Sequence, residues 1–282
     1  MRNKTFAGIE YKYASWETSK IILQSIPYDG TSTWGKGADK GFNAFMDAAE
    51  NMELYDIEMD SEVYKEGIYL NRELSDFDSP EDMFNKTYQR AKELLTSNKF
   101  ITFFGGEHSI SIGIIKAYYE AIQNLTVLQI DAHADLRPTY EGTPYNHACA
   151  LSDARKNCNL IQVGIRSMDI SEKKNMDLQK VYFAHEIESK QDWVEKSIAQ
   201  MSNNVYVTLD LDAFDSSIMP STGTPEPGGL NWYTVTNYLR KVFQEKNVVG
   251  FDIVELAPID GLSAPQYLTA KLYYKMLTYK FS

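Results

Sequence analysis

Apolar residues along the chain gather into short, β-branched runs, and between these lie longer segments whose apolar positions recur at helical spacing. The runs at 20–28, 100–104, 125–130, 160–165, 180–183, 205–211 and 247–254 read as strands, with 68–70 as a shorter one. The segments at 42–53, 80–97, 109–122, 146–155, 192–201, 232–244 and 264–279 read as helices. The second of these has the plainest start signal. Ser79 stands in the capping place, Pro80 takes the first helical position, and Glu81 and Asp82 lie in the first turn, where acids complement the helix dipole. Ser109 is placed to cap the third helix, just after a Gly105-Gly106 turn. Residues 220–229, rich in proline and glycine, read as a long loop.

Strands that alternate with helices imply a doubly wound α/β fold, a parallel sheet covered on both faces. Neither an internal repeat nor a linker-like shift in composition divides the chain, so residues 1–282 are expected to form a single domain. In open parallel sheets, ligands bind at the carboxyl ends of the strands. The chemically capable residues of this chain cluster at such ends.

The densest cluster is Asp131-Ala132-His133-Ala134-Asp135, which begins where the 125–130 strand stops. Residues two apart in extended chain point the same way, so Asp131, His133 and Asp135 can converge. Burying them as bare charges is costly, and a metal ion removes that cost; a solvated loop or a hydrogen-bonded acid network is the alternative for this pentapeptide alone. His108 follows the 100–104 strand, while Asp210 and Asp212, again two apart, lie at the end of the 205–211 strand. Four carboxylates in one cleft repel strongly. Two divalent cations would neutralise them, whereas one zinc would leave excess charge and surplus ligands. Oxygen-rich donors with some imidazole favour Mn²⁺, with Fe, Co and Ni chemically open as well. Of the four histidines, His108, His133 and His147 fall in or near this constellation; His185 reads as an ordinary residue after a strand.

Composition narrows the partners. A net charge of −11 disfavours nucleic acid and anionic membrane surfaces and is compatible with a small cationic substrate. No run of eighteen apolar residues spans a membrane, and the first twenty residues lack the apolar centre of a signal peptide. Cys149 and Cys158 are too few for a disulfide framework, which fits a cytoplasmic location.

Three segments together carry a family resemblance: GGEHS at 105–109, DAHAD at 131–135 and DLDAFDSSIMPSTGTPEPGG at 210–229. In order and spacing they resemble the signatures of the ureohydrolase family of arginase and agmatinase, and agmatinase most. The resemblance implies an arginase-like three-layer α/β/α fold, two Mn²⁺ per chain, and hydrolysis of a guanidino group to urea and an amine. It also implies a homo-oligomer, a trimer or hexamer. Carried over residue by residue, it makes His108, Asp131, His133, Asp135, Asp210 and Asp212 the metal ligands, with Asp135 also orienting the attacking water. His147 matches the family's histidine at the cleft, a shuttle for the proton the leaving amine must gain. Glu255 matches the substrate-binding glutamate, whose carboxylate can meet a guanidinium with two parallel bonds. Thr224 matches a position near the substrate, and Asp252 reads as a structural acid.

The chain departs from the family pattern in three places. Lys40-Gly41-Phe42-Asn43-Ala44 stands where Gly-Pro and then Ile-Arg are expected, bearing on the cleft entrance or a subunit contact. Glu107 replaces an aspartate, as a longer acid behind the metal site, and Asp215-Ser216 replaces Asp-Pro in a loop. In the 136–150 loop, His147-Ala148-Cys149 resembles agmatinase-like members, and the Asn and Ser pattern of arginine-specific relatives is absent. Arg137 is expected to pair with Glu141 or another local acid. Agmatine, giving putrescine, is therefore the expected substrate, with aminopropylagmatine, guanidinobutyrate and arginine as alternatives. A metallophosphatase would add an Asn-His-acid element and a zinc deacetylase adjacent histidines, and the chain has neither. A non-catalytic relative would be expected to have lost a ligand.

Overall fold

Eight strands, β1 (Ile21–Ile26), β2 (Ile68–Leu70), β3 (Phe100–Gly105), β4 (Leu125–Ile130), β5 (Asn159–Ile165), β6 (Val181–Phe183), β7 (Asn204–Asp210) and β8 (Asn247–Val254), pair in one sheet. Their order is β2-β1-β3-β8-β7-β4-β5-β6, and every pairing is parallel. The structure is a computed structural model and describes residues 4–190 and 192–282. Among the described residues the α-helices are α1 (Gly41–Ala49), α2 (Pro80–Leu95), α3 (Ile110–Ala121), α4 (Ser152–Asn157), α5 (Ala184–Ile187), α6 (Trp193–Ala199) and α7 (Trp232–Glu245), which lie between strands, and α8 (Ala264–Phe281), which follows β8.

The sheet is buried on both faces, as parallel sheets are. On one face Leu128, Ile130, Val205, Val207, Leu209, Phe251 and Ile253 pack against α1, α6, α7 and α8. Phe45 of α1 stacks on Phe104 of β3 there, with ring centroids 4.3 Å apart. On the other face Ile22, Ile101, Phe103, Val127, Leu160 and Tyr206 meet α2, α3 and α4. The result is three layers, helices, sheet and helices, as expected. Among the described residues no helix is long and apolar enough to cross a membrane.

Topology places the site. The chain lays down β3, jumps to β4 and moves outward through β5 and β6, then returns to insert β7 and β8 into the gap. The four central strands β3, β8, β7 and β4 are therefore neighbours, and their carboxyl ends lie side by side at the reversal of strand order, where ligands bind in such sheets.

Several local expectations were refined. Ser79 caps α2 by accepting the Asp82 N–H at 3.1 Å, as predicted. That helix stops at Leu95 because the Thr96 and Ser97 hydroxyls donate back to Glu93 and Leu94 carbonyls, and Asn98 turns left-handed with φ 57°. Ser109 does not cap α3. Its hydroxyl donates instead to Glu107, whose carboxylate also accepts the Ser109 N–H at 2.7 Å and so takes over the helix start. The expected 146–155 helix is broken in two, because the Leu151 N–H turns away to the Asp135 carbonyl at 3.0 Å. What remains is a short turn at His147–Cys149, followed by α4.

Candidate active site

The site begins where backbone ladders run out. After β4, the Asp131 Oδ1 accepts the His133 N–H at 2.6 Å, which bends the chain and presents both side chains. After β7, Asp210 Oδ1 accepts the Asp212 N–H at 2.9 Å, repeating the same turn. Asp212 Oδ1 then accepts the Ala132 N–H at 3.1 Å and locks the two strand ends together. After β3, Gly106 passes so close to Tyr28 that a Cβ would lie 1.8 Å from its carbonyl oxygen. Only glycine lets His108 approach from that side.

These turns bring all six expected ligand side chains together. His108 Nδ1 lies 3.1 Å from Asp131 Oδ2, 3.1 Å from Asp135 Oδ2 and 3.3 Å from Asp210 Oδ2. His133 Nδ1 lies 2.9 Å from Asp212 Oδ2 and 3.7 Å from Asp131 Oδ1. Two groups, His108-Asp131-Asp135 and Asp131-His133-Asp212, each hold three donor atoms within 4.8 Å of one another. Asp131 belongs to both.

Protonation state shows what the cluster lacks. The Thr208 hydroxyl donates to Asp252 Oδ1 at 2.6 Å, so its oxygen is free to accept from His108 Nε2 at 2.9 Å. Asp252 is the structural acid expected, held also by the Tyr206 hydroxyl at 2.8 Å. This contact holds a proton of His108 on Nε2 and turns Nδ1 toward the carboxylates. Nδ1 is buried and makes no hydrogen bond. Burial opposes the charged form, yet Asp131, Asp135 and Asp210 raise the His108 imidazole well above its ordinary value, so the cluster calls for positive charge among these oxygens, which a metal ion held by the same donors supplies. Burial and the neighbouring Asp131 push Asp135 up to about 7, and burial with Asp212 and Asp131 holds Asp210 well above the usual carboxylate range. Asp212 runs the other way: burial opposes it, yet the His133 imidazole holds it at about 2.

A cavity of about 160 Å³ opens over the cluster and is lined by His108, His133, Asp135, Asp210 and Asp212 together with His147, Thr224 and Glu255. Glu255 is almost fully buried; its Oε1 accepts the His108 N–H at 2.8 Å, and its backbone is left-handed with φ 69°. Asp135 is left-handed as well, with φ 53°. Such residues cost about 1–3 kcal/mol and persist where the surroundings force them, often at functional sites. His147 Nε2 is buried without a hydrogen-bond partner, and burial, helped by His133 and His108, pushes the imidazole down to about 4. His185 lies outside this cavity, its ring stacked on Phe183. A larger apolar groove of about 890 Å³ between α1 and α8 contains no such cluster of titratable groups.

Other residues matter that the sequence did not single out. The Arg166 guanidinium donates to the carbonyls of Gly164, Asp212, Ala213, Phe214, Glu226 and Pro227, and so ties the Asp212 turn to the proline-rich loop. Asp169 and Glu172 cap a short helix at Ile170–Asn175 and line the cavity mouth. Their D-x-x-E spacing was a readable capping signal. Arg137 pairs with Glu172 at 3.6 Å and stacks on Tyr140 at 4.5 Å, so its partner is a local acid other than Glu141. Glu107 sits behind the site, accepting from Thr31 and Ser109, and the Thr31 hydroxyl oxygen in turn accepts the His147 N–H at 3.0 Å. The 40–44 departure falls at the start of α1, where a Cβ on Gly41 would lie 2.3 Å from the Leu256 carbonyl oxygen. Asp215 holds its loop by accepting the Ser217 and Gly229 N–H groups.

The comparisons with known proteins agree with this geometry. The model of the arginase family matches residues 19–278. An N(1)-aminopropylagmatine ureohydrolase of Synechocystis sp. is 34% identical over 94% of this chain and 90% of its own length. An agmatinase of Pyrococcus horikoshii is 30% identical over 84% of this chain and 83% of its own. The crystal structure of the agmatine ureohydrolase of Thermoplasma volcanium superposes with a TM-score of 0.88 at 26% identity, covering 99% of this chain and 95% of that one. An arginase from Bacillus cereus, 22% identical, shares the fold with a TM-score of 0.78 over 91% of this chain and 97% of that one. The chain belongs to the arginase family.

Proposed function

We propose that this protein hydrolyses the guanidino group of an agmatine-type cation to urea and an amine. His108, Asp131, His133, Asp135, Asp210 and Asp212 would hold two Mn²⁺ ions. The observation that carries the reading is the convergence of three carboxylates on His108 Nδ1, which is buried without a hydrogen bond. When bound, the ions lower the pKa of water and supply hydroxide at neutral pH. The chain's own residues do the rest. Glu255 lines the same cavity and offers a carboxylate to the planar N–H fork of the guanidinium, fixing the carbon above the metal ligands. Asp135, which lines the cavity, would accept a hydrogen bond from the water and aim it. His147, neutral at pH 7, relays a proton to the departing nitrogen. Thr224 lines the wall beside Glu255.

Substrate choice rests on the cavity mouth. Arg137 stacks on Tyr140 with its Nε 3.6 Å from Glu172, and Asp169 adds a second acid to the same lining, so acids outnumber the one guanidinium there and favour an ammonium over a carboxylate. A site that leaves a charged group unpaired discriminates by several powers of ten. This favours agmatine over arginine and guanidinobutyrate. The extended cation aminopropylagmatine is the second reading, supported by several relatives that carry its name at 31–34% identity.

Urea release should be measured with agmatine, aminopropylagmatine, guanidinobutyrate and arginine, with metal content determined in parallel. Two Mn²⁺ per chain and a higher kcat/KM for either decarboxylated cation are expected. Arginine ranking first would sink the substrate assignment. A fully active preparation holding one zinc per chain would sink the metal assignment.

A further inference from the structure

Two buried glutamines stand directly behind Asp131. Gln129 of β4 and Gln162 of β5 are register partners across the sheet, 0% and 1% exposed. Their side-chain amides form a ladder. Gln162 Nε2 donates to Gln129 Oε1 at 2.7 Å and to the Ala134 carbonyl at 2.9 Å. Gln129 Nε2 donates to Asp131 Oδ2 at 2.7 Å and to the His133 carbonyl at 3.0 Å. Every amide hydrogen of the pair is used, and each acceptor lies in or next to the turn that leaves β4.

The direction of these bonds is dictated by chemistry. Asp131 Oδ2 and the His133 carbonyl are both acceptors, so Gln129 must turn its NH₂ toward them. Its Oε1 then faces β5 and needs a donor, which Gln162 supplies. The two carbonyls served, of His133 and Ala134, lie past the last β4–β7 rung at Ile130 and would otherwise be short of partners. Asp131 is the one carboxylate common to both donor groups. With Oδ1 held by the His133 N–H and Oδ2 by Gln129, its remaining lone pairs can aim in only one way.

We infer that Gln129 and Gln162 act as a positioning pair that aims the shared carboxylate of Asp131 and thereby sets metal affinity at both positions. The inference rests on the reading of these clusters as metal sites. Gln162 is the informative member, because it touches no metal ligand side chain and reaches Asp131 only through Gln129, its other bond going to the Ala134 carbonyl. Removing it leaves Gln129 Oε1 buried without a donor, so the amide loses the contact that holds it in place against Asp131. Partners one step behind metal ligands are worth about 10- to 100-fold in affinity.

The test is chelator competition with Mn²⁺ on the full-length native protein and on Gln162→Met, Gln129→Met and the double variant. Methionine keeps the length and apolar volume but donates nothing. We expect Gln162→Met to weaken Mn²⁺ binding by about 10-fold or more, and the double variant to bind no more weakly than Gln129→Met alone. Thermal melting of the metal-free proteins reports any purely structural loss, which would leave affinity in the folded variants unchanged. If Gln162→Met does not fold, Gln162→Asn, one methylene too short to span both acceptors, is measured in its place with the same expectation. Binding within twofold of native in the folded Gln162 variant, or additive losses in the double variant, would overturn the inference. Native protein that binds no Mn²⁺ would overturn the metal reading itself, a distinct outcome.

Discussion

The His108 backbone N–H donates to Glu255 Oε1 at 2.8 Å, so the residue that would anchor the guanidinium is bonded to the residue that would anchor a metal ion. The two ends of the reacting geometry are thus set against each other by one short contact between the ends of β3 and β8. Glu255→Gln keeps an oxygen for the His108 N–H but offers an amide to the substrate. We expect kcat/KM to fall about 10²-fold or more with metal content intact. Steady-state kinetics alongside elemental analysis checks this, and native kinetics would remove Glu255 from the substrate site.

His147 has a different job, and its variant should behave differently. The imidazole is neutral at pH 7 and its buried Nε2 is unpaired, so it is poised to accept and pass on a proton. His147→Asn should lower kcat by about 10²-fold, at the low end of the effect of a positioned acid–base group, with little change in KM or metal loading. A variant whose loss lies entirely in KM would show that the histidine binds substrate and moves no proton.

Glu107 accepts four hydrogen bonds, two from Thr31 and two from Ser109, all at 2.7–3.1 Å. An amide cannot accept all four without turning its own NH₂ against a donor. Glu107→Gln is therefore expected to cost about 1–3 kcal/mol of stability. Urea unfolding of the metal-free protein measures it, and an unchanged midpoint would mean that the Thr31 and Ser109 loops find other partners.

Arg166 places its fork on six carbonyl oxygens drawn from three segments. A lysine ammonium has three hydrogens and no planar fork. Arg166→Lys should lose about 2–3 kcal/mol and speed proteolytic nicking of the 225–229 loop. Equal cleavage rates for native and variant protein would show that the loop is held by something else.

Much of the site could be read in the sequence because Asp131–His133 and Asp210–Asp212 stand where strands end, although a turn closed by each aspartate, and not continued extended chain, presents the side chains. The strands themselves were legible because buried parallel strands are almost continuously apolar. What stayed hidden depends on pairing between distant segments. Gln129 and Gln162 are 33 residues apart, and nothing in either run says that β4 and β5 align those two positions. Arg166 looks like any arginine after a strand until the carbonyls of Asp212 and Glu226 are brought to it. The Ser109 cap failed because Glu107, two residues upstream, takes the Ser109 hydroxyl and N–H, leaving the Ser111 and Ile112 N–H groups to backbone carbonyls.

The order of strands also bears on how the protein is made. β7 and β8 are translated late yet occupy the middle of the sheet. A nascent chain that has emerged only through β6 has no strand to lay between β3 and β4, whose ends stand three strand spacings apart in the finished sheet, roughly 14 Å. Such a chain also lacks Asp210, Asp212 and Glu255, and the inner edges of β3 and β4 remain unpaired and apolar. Such edges are what other chains add to. Polypeptides cut short before residue 204 should therefore aggregate on release from the ribosome, and no manganese supplied during synthesis can rescue them.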